Sequence, residues 1–264
     1  TDQVPTADLS RDLARKHGFR LASSIEESIT LGTNKVQVAG VLSIGEHGNY
    51  PSTPDTHQQM YPRKRFFDEI ITTFKKCGSV VPVFNDKHLC YNWKDARAMY
   101  DTARKMKIPF MAGSSLPVAW REPQEILPMG SVIEEALVLG YGGLESYGFH
   151  MLETLQCMVE RRQGGETGVR SVQALQGERA WQAQQQGRWS GELFKAAAEA
   201  NGQVVSEDKL RASMMHSNSA VYLLDYRDNI KVSAVMAVNL GAQFCLALKL
   251  QGRDKPWVSW FQLE

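Results

Sequence analysis

The chain has 264 residues, enough for one large domain or two small ones. At 43% hydrophobic and 22% charged residues its composition is globular, which excludes a disordered tail, a collagen-like fibre or a coiled coil as the main content. Thirty Lys and Arg against 29 Asp and Glu leave a formal charge of +1, so no global field recruits nucleic acid, and no run of about 18 apolar residues offers a membrane span.

In chain order, Thr6–Lys16 has Leu9, Leu13 and Ala14 at helical spacing, with Gly18 as the stop signal. Phe19–Ala22 is a short strand candidate, and the β-branched run Val36–Gly45 predicts a strand buried on both faces. A long polar loop, GEHGNYPSTPDTHQQMYPRKR, follows, of the kind that is functional or mobile in compact domains. Phe66, Phe67, Ile70, Ile71 and Phe74 then form a helical stripe that closes near Gly78. Val80–Phe84 is the next strand, Asn92 the N-cap of a helix carrying Ala96, Met99, Tyr100, Ala103 and Met106, and Ile108–Gly113 a further strand. This alternation predicts a parallel sheet with covering helices.

The second half differs. Leu144–Arg162 is a helix with Leu144, Tyr147, Met151, Leu155 and Met158 aligned, and Gln182–Gly202 is a polar helix or loop with little core. Four strands close the chain, Ala220–Tyr226, Lys231–Val238, Phe244–Leu250 and Trp257–Leu263, and their succession predicts a mainly antiparallel open sheet. The expected architecture is α/β, with an incomplete Rossmann-like sheet in 1–120 followed by an α+β domain in 121–264. The composition shifts over Ser114–Gly130.

Ligands of a parallel sheet sit outside the carboxyl ends of its strands. One predicted strand leads into Glu46-His47 and another into Asn85-Asp86-Lys87-His88, while His150 and Glu153 share a face of the long helix with Glu145 nearby. Each set also has a plain reading, as turn residues, a solvated loop or a core histidine. His17, His57 and His216 have no such company and read as surface residues. Gly140-Tyr141-Gly142-Gly143 is not a dinucleotide fingerprint, because the last glycine of G-x-G-x-x-G is Glu145 here. P-loop, G-x-S-x-G and H-E-x-x-H patterns are missing as well. Cys77, Cys90, Cys157 and Cys245 lack metal or disulfide spacing and read as buried thiols of a reducing compartment; with no secretory pattern at the N-terminus, a cytoplasmic protein is expected.

Two segments resemble the Gfo/Idh/MocA oxidoreductases, the glucose–fructose oxidoreductase and inositol dehydrogenase family. PVFNDKHLCYNWKDARAMYDTARKMKIPFMAG is similar to the family's strand–Glu-Lys-Pro–helix–strand segment, with Asp86-Lys87-His88 in place of Glu-Lys-Pro. GYGGLESYGFHMLETLQCMVE resembles its Gly-Gly and Asp-x-Gly-x-His helix start. The resemblance implies a Rossmann domain followed by an open-sheet domain, with Lys87 and His150 matching the family's catalytic lysine and histidine. It also implies NAD or NADP as the cofactor of a full-length parent. The departures are specific: Ser146 replaces the aspartate that precedes the histidine, His88 replaces the proline, and no glycine-rich first turn is present, which counts against cofactor binding by this chain. Thr1-Asp2, with no initiator Met, looks like the end of the family's second strand and points to a truncated chain or a diverged short form. A chain without the first strand is expected to rearrange its sheet or to have the gap filled by a partner.

Three functions follow from this reading. In the first, a sugar or polyol oxidoreductase, Lys87 hydrogen-bonds the reacting hydroxyl, His150 moves its proton, Asp86 stands with them, and His47, His88 and Tyr147 line the substrate. The second is a metal-dependent hydrolase or lyase drawing on Glu46, His47, His88, His150 and Glu153 for zinc, manganese or iron. The third is a non-catalytic relative that assembles through one open face of the late sheet. The partners expected are a small-molecule substrate and further copies of the chain, with neither nucleic acid nor membrane.

Overall fold

The computed structural model describes residues 9–45 and 48–262. The chain divides into two compact units, Thr1–Gly113 and Ser114–Glu264.

In the first unit, helix α1 (Leu9–His17) stops at Gly18, whose φ of 71° turns the chain and whose N–H donates to Ala14 O at 2.8 Å. The strand expected at Phe19–Ala22 does not form; the segment is irregular, with Phe19 and Leu21 each 47% exposed. A short helix unforeseen in the sequence, α2 (Ile25–Thr30), follows under the Ser24 N-cap, which accepts from Glu27 N at 3.0 Å. The long strand expected at Val36–Gly45 shrinks to β1 (Val41–Ser43), and it is not buried on both faces, since Leu42 is 74% exposed. Helix α3 (Arg63–Cys77), β2 (Val83–Asp86), α4 (Trp93–Lys105) and β3 (Phe110–Gly113) complete the unit.

The strands pair in parallel in the order β1-β2-β3, with Ser43 opposite Asn85 and Asp86 opposite Gly113. One face of this sheet packs Val83 against Phe67, Ile70 and Phe74 of α3 and Met99 and Ala103 of α4. Asn92 caps α4 by accepting from Asp95 N at 2.8 Å, as its sequence position indicates. Tyr100, expected among the buried residues of α4, is instead exposed beside Arg97.

The second unit is a seven-stranded sheet, not four-stranded. Its strands are β4 (Trp120–Glu122), β5 (Ile133–Gly140), β6 (Val169–Leu175), β7 (Ala220–Tyr226), β8 (Lys231–Met236), β9 (Phe244–Leu250) and β10 (Trp257–Gln262). They are ordered β4-β10-β9-β5-β8-β7-β6, antiparallel except where β5 runs parallel to β8. β5 lies in the middle and serves two cores. Ala136 and Val138 pack with Met151, Leu155 and Met158 of α5 (Leu144–Val159), while Leu137 and Leu139 face the other side.

That other side is covered by α6 (Glu178–Gln185), α7 (Gly191–Ala200) and α8 (Glu207–Met214). The Gln- and Ala-rich segment therefore holds core after all. Trp189, Phe194, Ala197 and Ala198 are buried, and the small alanines let α7 approach the sheet closely. Helices α6–α8 thus cover the central strands on that side of the sheet. No helix among the described residues is long and apolar enough to cross a membrane.

Candidate functional site

In the first unit the reactive residues gather where β2 ends. Asp86 is its last residue, and Lys87 and His88 form the bend that follows, joined by a cis peptide bond. His88 is half-buried. Burial, with the cations of Arg63 and Lys87 beside it, lowers its pKa to about 4 against the pull of Asp86, so the ring is neutral at physiological pH. Arg63, at the first turn of α3, is 4% exposed; the Asp86 carboxylate acts on its charge, and its Cζ lies 4.7 Å from the Tyr61 ring centroid. Glu46 and His47 lie outside the described residues.

The second unit places His150 within α5. Its Nδ1 shares a hydrogen bond with Ser114 Oγ, which also accepts from Leu116 N at 3.0 Å. The Ser114 N–H donates to Glu153 Oε2 at 3.3 Å, tying the carboxylate one turn beyond His150 to the same segment. Burial raises the pKa of Glu153 against that hydrogen bond. Tyr147 lies one turn before His150 with the ring centroids 6.2 Å apart, and Phe244 of β9 completes the wall at 6.1 Å from His150.

Ser114 is a residue of the candidate site that sequence reasoning missed. In the sequence it marks only the start of a composition shift, yet it makes the hydrogen bond to His150 that a neighbouring carboxylate would otherwise be expected to make. Arg63 likewise reads as loop in the sequence; the signal available was three cations in succession opening a helix.

Among the described residues no group of three or more His, Cys, Asp or Glu side chains is placed to hold an ion. A physical reason is visible at each described donor. His88 faces two cations, His150 Nδ1 is engaged by Ser114, and Glu153 is engaged by the Ser114 backbone. Among the cysteines, burial pushes Cys157 up to about 11 and Cys245 up to about 12, so neither is a thiolate nucleophile.

No protein-family model and no curated protein sequence matches the chain. Solved structures do match it in fold. GenD2 from gentamicin A biosynthesis, in complex with NAD, aligns with a TM-score of 0.54 at 12% identity, over 95% of this chain and 60% of that one. UDP-N-acetylglucosamine 3-dehydrogenase GnnA from Acidithiobacillus ferrooxidans gives 0.52 at 10% identity, over 93% of this chain and 64% of its own. The apo scyllo-inositol dehydrogenase from Lactobacillus casei gives 0.51 at 10% identity, over 96% and 65%. The fold is that of the Gfo/Idh/MocA-type dehydrogenases. The chain spans less than two thirds of the length of each of these neighbours.

A dinucleotide of that class is gripped by a strand, a glycine-rich turn and a helix N-terminus. Neither the β2–α4 connection nor the turn before α5 supplies this cradle. The β2–α4 connection, residues 87–92, contains no glycine. Two of the glycines leading into α5 are taken by packing: a Cβ on Gly142 would lie 2.9 Å from the Tyr147 ring, and one on Gly140, the last residue of β5, would lie 2.6 Å from the Met236 sulfur. Neither segment thus fits the group.

Proposed function

We propose that this chain carries proton-handling residues of a sugar or polyol oxidoreductase, His150 as the base that takes the proton of a reacting hydroxyl and Lys87 as a second proton-handling residue. The Ser114–His150 hydrogen bond carries the reading. A general base needs a fixed ring and a defined tautomer. When neutral His150 donates Nδ1–H to Ser114 Oγ, the basic lone pair of the ring is on Nε2. Ser114 is itself held, because its Oγ accepts from Leu116 N and its own N–H is tied to Glu153.

The same bond argues against the imidazole as a metal ligand through Nδ1. Lys87, at the end of a parallel strand, occupies the position where open α/β sheets present ligand-contacting side chains. The fold likeness to sugar and polyol dehydrogenases supports the substrate class.

The test is sugar- and polyol-dependent reduction of NAD or NADP by the purified chain over a wide range of nicotinamide concentrations. Reduced nicotinamide that forms only with an alcohol substrate supports the proposal. Its absence across a panel of cyclic polyols, aldoses and nucleotide sugars contradicts it.

A further inference from the structure

Arg63 does nothing in the oxidoreductase chemistry above, yet it is the least expected side chain in the first unit. It is 4% exposed, and among the described residues neither Nε nor Nη1 has a hydrogen-bond partner. A guanidinium withdrawn from water without partners is strongly disfavoured, and proteins keep one only where something else meets the donors.

The surroundings hold it in place. Gly45, two residues past β1, leaves the space it fills: a Cβ there would lie 2.5 Å from Arg63 Nε. The Tyr61 ring lies against the guanidinium. Both helix and sheet add positive potential or ligand access at this point. α3 begins at Pro62 without a side-chain cap and with no acidic residue in its first turn, carrying Arg63, Lys64 and Arg65 there instead. That is the reverse of what the helix dipole favours. Lys64 and Arg65 are answered one turn on by Asp68 and Glu69, but Arg63 is not. Gly45 and Asp86 mark the carboxyl ends of parallel strands, where such sheets take ligands. Asp86 offsets part of the charge from a distance, leaving Nε and Nη1 unmet.

We propose that Arg63, against Gly45 at the start of α3, is the recognition residue of a site for a small oxyanion, a carboxylate or a phosphoryl group. The inference goes beyond the oxidoreductase reading and stands without it. A carboxylate would belong to an acidic substrate, a phosphoryl group to a phosphorylated one.

Calorimetric titration with sodium gluconate and with inorganic phosphate, each against sodium chloride at matched ionic strength, tests it on the whole chain. Saturable binding of one anion is expected, weakened about tenfold or more in both Arg63→Met and Gly45→Ala. Gluconate binding alone assigns a carboxylate, and phosphate binding alone a phosphoryl group. Arg63→Met should also be at least as heat-stable as the wild type, because it removes an unpaired buried charge, whereas a purely structural arginine would leave a less stable protein. No saturable binding of either anion above chloride overturns the proposal and leaves the donors to buried water. Undiminished binding in Arg63→Met overturns it too. Should that variant fail to fold, Gly45→Ala, which keeps the charge but displaces Nε, takes its place: weakened binding supports the site and undiminished binding overturns it.

Discussion

Ser114 Oγ and His150 Nδ1 share a hydrogen bond across 36 residues of chain, from the segment after β3 to the middle of α5. It fixes an imidazole that has no carboxylate at Ser146 to orient it, and it does so with a hydroxyl that is itself anchored by Leu116 N.

Ser114→Ala removes that orientation and leaves the rest of the wall intact. One hydrogen bond of this kind is worth about 1 kcal/mol, so kcat should fall several-fold with KM nearly unchanged. Steady-state kinetics on any substrate found for the wild type checks this; a change confined to KM would assign Ser114 to substrate binding instead.

His88 makes stability depend on pH. Its native pKa of about 4 lies below the ordinary 6.5, so the unfolded chain takes up a proton that the native ring refuses. Stability should therefore fall as pH drops from 6.5 toward 4, by up to about 3 kcal/mol from this residue. Urea unfolding of the wild type and His88→Gln across that range measures the contribution by difference, since the carboxylates titrate alike in both. Parallel curves would show that the ring is solvated.

How much of the fold and the site is legible in sequence depends on which signal each element carries. α3, α4 and the four closing strands announce themselves by apolar spacing and turn residues, and the structure has them within a few residues of the expected bounds. β5 is invisible as a strand because it is buried on both sides; Leu137 and Leu139 face one core, Ala136 and Val138 the other, so no alternation shows. The β1 region misleads in the opposite sense: its β-branched run promises a buried strand, but pairing on one side only leaves Leu42 and Ile44 exposed. The Asp86-Lys87-His88 cluster and the His150 helix can be read from residue type and position. Ser114 cannot, because a lone serine at a composition shift carries no periodic signal, and Arg63 is conspicuous only once its burial is known.

The Gln- and Ala-rich segment offers a direct check on its reassignment as core. Trp189 is 1% exposed and donates from Nε1 to Ala180 O at 3.1 Å. Trp189→Ala should cost about 3–5 kcal/mol, read as a lowered urea midpoint. A loss below about 1 kcal/mol would return the segment to a surface role.

The glycine run before α5 separates two neighbouring positions. Gly142 has φ of 81° and lies against the Tyr147 ring, whereas Gly143 has φ of −82° and only Ser146 Oγ at 3.4 Å from an added Cβ. Gly142→Ala should destabilise by about 1–3 kcal/mol and Gly143→Ala by no more than about 0.5 kcal/mol. Equal effects in thermal unfolding would contradict the packing role assigned to Gly142.

The central claim is that His150 is the proton-handling base, and the rate of His150→Ala relative to wild type tests it most directly. With saturating polyol and nicotinamide, the substitution should lower kcat about 100-fold or more while leaving the thermal midpoint nearly unchanged. A variant that keeps the full rate contradicts the account.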